Sequence, residues 1–233
     1  MKKIKLFLIF VVLLFSQFVY CNDAGIIAVG GRWVHLKTEH VSIQMVKEWI
    51  NINVYKDYYD VDVTFIFENK GDSTTVFMGF PESGYGDMNS TEVVKNSAFM
   101  SFSTSVDDVP FTAKREFVNE ENFSGDSYLA YWIKQVDFAK NQERKVNVNF
   151  RSPVGSGVSN YYRGSDNFIE YNFTGGNWFG KVEESNLTVK FDMPVKIRKN
   201  ESSKIKKKND GYVYNQKNWE AEEYFKITYL PEK

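Results

Sequence analysis

Cysteine occurs once in the 233 residues, at Cys21. No disulfide can therefore form within the chain, and thiolate zinc and iron–sulfur centres are excluded. Histidine occurs twice, at His35 and His40, with Glu39 between them. The odd spacing sends the two rings to opposite faces of a strand, or about 140° apart on a helix, so His35, Glu39 and His40 do not unite around one metal. A serine nucleophile would lack a base, and Gly155-Ser156-Gly157 lacks the strand–turn–helix frame of a nucleophile elbow. No cofactor is implied. Long apolar runs are missing too: Leu6 to Phe15 is about ten residues, half of the roughly 20 needed to cross a bilayer. With 29 Lys and Arg against 30 Asp and Glu, the chain lacks the basic excess that marks a nucleic-acid binder, and no nucleic-acid partner is expected.

What stands at the start is an export signal. Lys2, Lys3 and Lys5 precede the Leu6 to Phe15 run, and Ser16-Gln17 leads on to Val19-Tyr20-Cys21. A positive n-region and a short h-region suit secretion rather than membrane anchoring. Cleavage after Cys21 would place Val19 and Cys21 at the −3 and −1 positions and release Asn22 as the new N-terminus. The rival cut, before Cys21 with a lipid on its sulfur, is disfavoured by the bulk of Tyr20, and would tether the same fold as a surface adhesin. The expected product is exported, periplasmic or extracellular, and spans residues 22–233 as one β-sandwich domain or two packed β subdomains.

Loss of the three leader lysines takes the net charge from −1 to about −4. Aromatic side chains number 39 in the whole chain, enough for a core held by packing alone. Abundant Val, Ile and Thr with scattered Ala and Leu favour strands. Tyr59 to Asn69 alternates with period two: Tyr59, Val61, Val63, Phe65 and Phe67 point one way, and Asp60, Asp62, Thr64 and Glu68 the other. Ile50, Ile52 and Val54 alternate with Asn51 and Asn53, and Lys56-Asp57 turns this strand into the next as a hairpin. Further strands centre on Val76 to Phe80, ended by Pro81; Val146 to Phe150; Ile169 to Phe173; Leu187 to Phe191; Tyr212 to Tyr214, after the Asn209-Asp210-Gly211 turn; and Phe225 to Tyr229. Short strands at this spacing predict a mainly β fold, an antiparallel sandwich of immunoglobulin-like or related type. Long loops are expected at 82–90 and 116–130, the second with room for a short helix.

Several pieces together resemble a family. Asn22-Asp23-Ala24-Gly25 with Gly30-Gly31, Phe67-Glu68-Asn69 with Gly71, and Gly79-Phe80-Pro81 come first. Trp132 with Phe138, Phe150-Arg151-Ser152-Pro153, and Gly175-Gly176-Asn177-Trp178-Phe179-Gly180 before Leu187-Thr188-Val189 follow. In this order they resemble the bacterial exported "domain of unknown function 4424" family over most of the chain beyond the leader. The family's name assigns no activity. The resemblance implies an exported, mostly β domain and transfers no catalytic residue.

Carboxylates remain the residues through which this chain would do chemistry. Any two of Glu116, Glu120, Glu121, Asp107 and Asp108 could meet as the acid pair of a carbohydrate-active hydrolase, or sit as solvated loop acids. Asp57, Asp60 and Asp62 cluster, but lack the glycine-turned loop of a calcium cradle. Lys204, Lys206, Lys207 and Lys208 form a basic cluster suited either to an anionic lipid or wall polymer or to guarding a sheet edge. Trp132, Trp178, Tyr161 and Tyr162 are the candidate binding surface, with core anchoring as the alternative role for the two tryptophans. The leading expectation is non-enzymatic binding or scaffolding at the cell envelope, with an envelope protein or a polysaccharide as partner and a membrane only if Cys21 carries a lipid.

Overall fold

The computed structural model describes residues 24–25, 40–82, 97, 99–117, 130–158, 165–174, 178–200, 204–209, 211–220 and 222–232. Strands make up most of the described residues, and no helix occurs among them. They are β1 (Ala24–Gly25), β2 (Ile43–Val54), β3 (Tyr58–Asn69), β4 (Thr74–Glu82), β5 (Ser101–Val106), β6 (Val109–Phe111), β7 (Lys114–Phe117) and β8 (Ala130–Phe138). The second half adds β9 (Glu143–Pro153), β10 (Gly155–Val158), β11 (Ser165–Thr174), β12 (Val182–Phe191), β13 (Val195–Asn200), β14 (Lys206–Lys208), β15 (Gly211–Trp219) and β16 (Glu222–Pro231).

One eight-stranded sheet, ordered β14-β15-β12-β2-β3-β9-β5-β6, forms the first layer. Two four-stranded sheets, β1-β4-β8-β7 and β10-β11-β16-β13, cover one of its faces side by side. Ring contacts fix which sheet sits where. Phe80 of β4 lies 5.4 Å from Phe150 of β9, and Trp132 of β8 stacks at 4.4 Å on Phe102 of β5. At the other end Phe173 of β11 stacks at 4.7 Å on Tyr214 of β15, and Tyr229 of β16 meets Phe191 of β12 at 4.9 Å. The fold is thus the expected mainly β sandwich, and the apolar members of each alternating strand supply its core: Ile50, Ile52, Val61, Val63, Phe65, Phe67, Val146 and Val148 are all buried. Each contributes about 1.5–3 kcal/mol relative to an exposed position.

Pairing adds details that periodicity alone did not reveal. All strand pairs are antiparallel except β2 with β12, which run parallel from Lys47–Glu184 to Val54–Phe191. A bulge between Met45 and Lys47 lets β2 keep Ile43 and Met45 on the core side while turning Glu48, Ile50 and Ile52 there as well. Contrary to expectation, β4 runs through Pro81 to Glu82. Among the described residues the pairing of β1 reaches Met78 and Gly79, and on that side of β4 no described strand pairs with Pro81.

Turn chemistry follows the residues. Asp107 and Asp108, at φ 50° and 65°, form the two-residue hairpin between β5 and β6, whose ladder closes with Val106 opposite Val109. Asn209, at φ 51°, opens the expected turn between β14 and β15. In the turn after β3 neither Asn69 nor Gly71 adopts positive φ, and side-chain hydrogen bonds hold it instead. The buried Asn69 side chain accepts from Gly71 N and donates to the carbonyls of Asp72 and Ala139, and a Cβ at Gly71 would lie 2.7 Å from the Cβ of Ser42.

Candidate functional site

The face of the large sheet that the two small sheets leave uncovered collects the polar halves of the alternating strands. Register places them in three rows. One runs Ser105, Asn147, Thr64, Trp49, Asn186, Asn215; the next Ser103, Asn149, Asp62, Asn51, Thr188, Val213, Lys206; the third Ser101, Arg151, Asp60, Asn53, Lys190, Gly211, Lys208. With strands about 4.8 Å apart, a seven-strand row extends roughly 29 Å. Neighbours within the rows hold one another in place. Thr64 donates to Asn147 Oδ1 at 2.9 Å, Asn147 to Ser105 Oγ at 3.2 Å and Thr188 to Asn51 Oδ1 at 2.6 Å, and Asn215 donates to Asn186. The result is a broad platform of amides and hydroxyls whose donors and acceptors are already oriented.

Aromatic rings border this platform. Trp49 is 38% exposed, with Lys47 Nζ 5.6 Å from its ring. Arg151 binds Asp60 through two hydrogen bonds of 2.7 and 2.8 Å and holds its guanidinium carbon 4.0 Å from the centre of the Tyr58 ring; Tyr55 packs against Tyr58 at 4.8 Å. The Asp60 carboxylate raises the Arg151 pKa above its already high ordinary value. Asp60 therefore serves as an arginine anchor.

Two carboxylates lie inside the sandwich. Glu82, fully buried, accepts from Arg115 Nε and Nη2 at 2.9 and 2.7 Å, from Trp132 Nε1 at 2.7 Å and from Ser97 Oγ at 3.1 Å. Glu48, also fully buried, accepts from Tyr171 at 3.1 Å and from Ser185 at 3.2 Å, and Ser185 Oγ in turn accepts from Trp219 Nε1 at 3.0 Å. These contacts offset the cost of burying charge and polar groups; those of Glu82 tie β4, β7 and β8 within one small sheet, and the Tyr171–Glu48 bond joins the other small sheet to the large one.

Each residue singled out in the sequence has a definite place or lies outside the described residues. Trp178 is 1% exposed and packs 4.7 Å from Phe67 and 5.9 Å from His40, so its ring is a core side chain. Trp132 is half-buried between Phe102 and Glu82. Tyr161, Tyr162, Cys21, Asn22, His35, Glu39, Glu120 and Glu121 lie outside the described residues, as do most of the two expected loops and the site of the short helix. His40 Nδ1 accepts from the backbone N–H groups of Ser42 and Ile43 at 3.2 and 3.0 Å, a structural use of that nitrogen. Asp107 pairs with Arg144 and Asp108 with Lys145, both at 2.6 Å, while Glu116 pairs with Lys114 at 2.9 Å. No group of three or more metal-ligating side chains occurs among the described residues.

No family model matches this chain, and no curated protein matches it. Solved structures do. A Legionella pneumophila protein provisionally described as nutrient binding aligns with TM-score 0.69 and 14% identity, over 92% of this chain and 73% of that one. The shared architecture is a fold. Weaker likenesses reach yeast leukotriene A4 hydrolase, at TM-score 0.47 and 13% identity over 81% of this chain and 29% of the enzyme, and a Deinococcus radiodurans M1 zinc metallopeptidase, at TM-score 0.39 and 5% identity over 85% and 42%.

Sequence reasoning missed Glu48 and Arg115. The signal for Glu48 was present, since it has the same strand parity as Ile50, Ile52 and Val54. Arg115 carried none, because its partner Glu82 stands 33 residues away.

Tyr229 offers a test of the second layer. Its hydroxyl is buried without a well-formed hydrogen bond, and burial, offset in part by Asn167, pushes its pKa up to about 12. The neutral phenol is thus favoured in the fold. Its share of stability is complete below the unfolded value of about 10 and is lost as pH rises from there through 12. Tyr229→Phe should leave stability at pH 7 within about 1 kcal/mol of the parent and flatten the fall between pH 10 and 12 by roughly 2 kcal/mol in urea titrations. An unchanged alkaline fall would show that Tyr229 does not drive it.

Proposed function

We propose that this protein is an exported, non-enzymatic binding or scaffolding module of the bacterial cell envelope, related to the family its motifs resemble, and that the open face of its large sheet holds a hydroxyl-rich glycan. The observation that carries this reading is the set of three cross-strand rows, from Ser105–Asn215 to Ser101–Lys208. Oriented amides and hydroxyls suit sugar hydroxyls, Trp49 offers an apolar ring, and rows that cross six or seven strands give a polymer room to lie. The leader supports export, and the nutrient-binding description of the structurally similar Legionella protein agrees in kind.

Calorimetry with chitohexaose, a neutral amide-bearing glycan, tests it. The protein without its leader should bind, and Asn51→Ala with Asn149→Ala should weaken binding about tenfold, as expected for two or three lost hydrogen bonds. Unchanged affinity in the variant, or release of shorter sugars from the probe, would refute the reading.

A further inference from the structure

The sequence concentrates cations in one place. Between Lys190 and Lys217 there are nine Lys and Arg against three Asp and Glu, a surplus of six in a chain whose total is −1. Seven of the nine, from Lys196 to Lys208, fall on two edge strands and the short link between them. β13 is the edge strand of one small sheet, beside β16, and β14 is the edge strand of the large sheet, beside β15. Phe173–Tyr214 and Phe191–Tyr229 contacts stack these two sheets. Only five residues separate Asn200 from Lys206, a reach of at most about 20 Å, and one of them, Ile205, is sunk in the core. Lys196, Lys206, Lys207 and Lys208 are exposed on these edges.

Register makes the rim continuous with the platform. Lys206 and Lys208 end the second and third rows, and Lys190 lies two strands inward in the third. A polymer lying along either row therefore runs into ammonium groups at that end. The described exposed large apolar side chains, Val41, Trp49, Phe77, Met100, Val109, Phe111 and Phe179, all lie outside residues 190–217. The rim thus offers charge without the apolar wedges that an interfacial membrane binder inserts. Lysine ammoniums are mobile point charges, matched to spaced anions along a flexible chain rather than to one fixed headgroup.

We infer that the rim formed by β13 and β14 selects anionic glycans, polymers bearing carboxylate, phosphate or sulfate groups at intervals, over neutral ones. This deepens the glycan reading above, and rests on it for the class of ligand. Chitohexaose is compared with a hyaluronan hexasaccharide, which alternates the same amino sugar with a carboxylate-bearing one. The hyaluronan probe should bind at least tenfold tighter at low salt, with affinity falling steeply as salt rises. The Lys206→Gln, Lys207→Gln, Lys208→Gln variant should bring it down to the neutral level. A control removing the exposed Lys56, Lys140 and Lys181 should change it less than twofold. Both triple variants alter exposed side chains and should melt with the parent.

Equal affinity for the two probes, or equal loss in the two variants, would overturn the inference while leaving the glycan reading intact. Lysine-dependent binding to phosphatidylglycerol vesicles without binding to hyaluronan would overturn it in favour of a lipid surface. Failure of the protein to bind either sugar would remove both.

Discussion

Replacing Arg115 by methionine is expected to cost about 3–5 kcal/mol of folding stability, a large share of the 5–15 kcal/mol that holds a typical domain. The side chain keeps much of its length, so packing changes little. What changes is Glu82, which is fully buried and receives two of its hydrogen bonds, 2.9 and 2.7 Å, from the guanidinium. Without them the Glu82 carboxyl stays in the interior without its guanidinium partner, although Trp132 and Ser97 still donate to it. Adding Glu82→Gln should restore part of the loss, because a neutral amide in the same place needs no counter-charge. A double-mutant cycle in urea, followed by tryptophan fluorescence, would read a coupling of about 1–3 kcal/mol. A coupling near zero would mean that the two groups act independently, and that the contacts between β4, β7 and β8 do not depend on this pair.

Trp178→Ala should be nearly as damaging, at about 3–5 kcal/mol, through the cavity it leaves against Phe67 and His40. Its indole is among the largest fully buried side chains. In a domain of this size such a loss lowers the melting temperature by roughly 10 °C. Trp49→Ala provides the contrast: its ring is exposed on the open face, and its removal should shift stability by no more than about 0.5 kcal/mol. Calorimetric melting of both variants separates the roles, and a Trp178→Ala protein as stable as the parent would contradict the core placement.

The sequence showed some layers of this organisation and hid others, for physical reasons. Strands such as Tyr59 to Asn69 were legible because a half-buried strand must alternate, and the same alternation named Asn51, Asn53, Asp60, Asp62 and Thr64 as the outward positions. What alternation cannot carry is register. Nothing in the local pattern says that Asn149 lies beside Asp62 or Thr188 beside Asn51, so the platform emerges only once strands from four regions are aligned. The role of Trp178 was open for a similar reason: a tryptophan after a glycine-rich turn reads equally well as an anchor or as a ligand platform. Asp107 and Asp108 looked like free loop acids because a two-residue hairpin and its facing Arg144 and Lys145 depend on β9, which comes nearly 40 residues later. The strand end predicted at Pro81 did not hold, because β4 continues through it to Glu82.

The parallel union of β2 and β12 has a consequence for the order of assembly. Its partners are 137 residues apart in the chain, as with Thr188 and Asn51. Until the polypeptide has been delivered as far as Phe191, β2 has only β3 beside it, and its other border waits with unmatched amides and carbonyls. Such a border recruits stray strands readily. The newborn protein therefore passes through an interval of vulnerability whose length is set by how fast its second half arrives. A helper that shields a bare strand margin, or brisk delivery, would matter more to the yield of this protein than the strength of any single contact in the finished molecule.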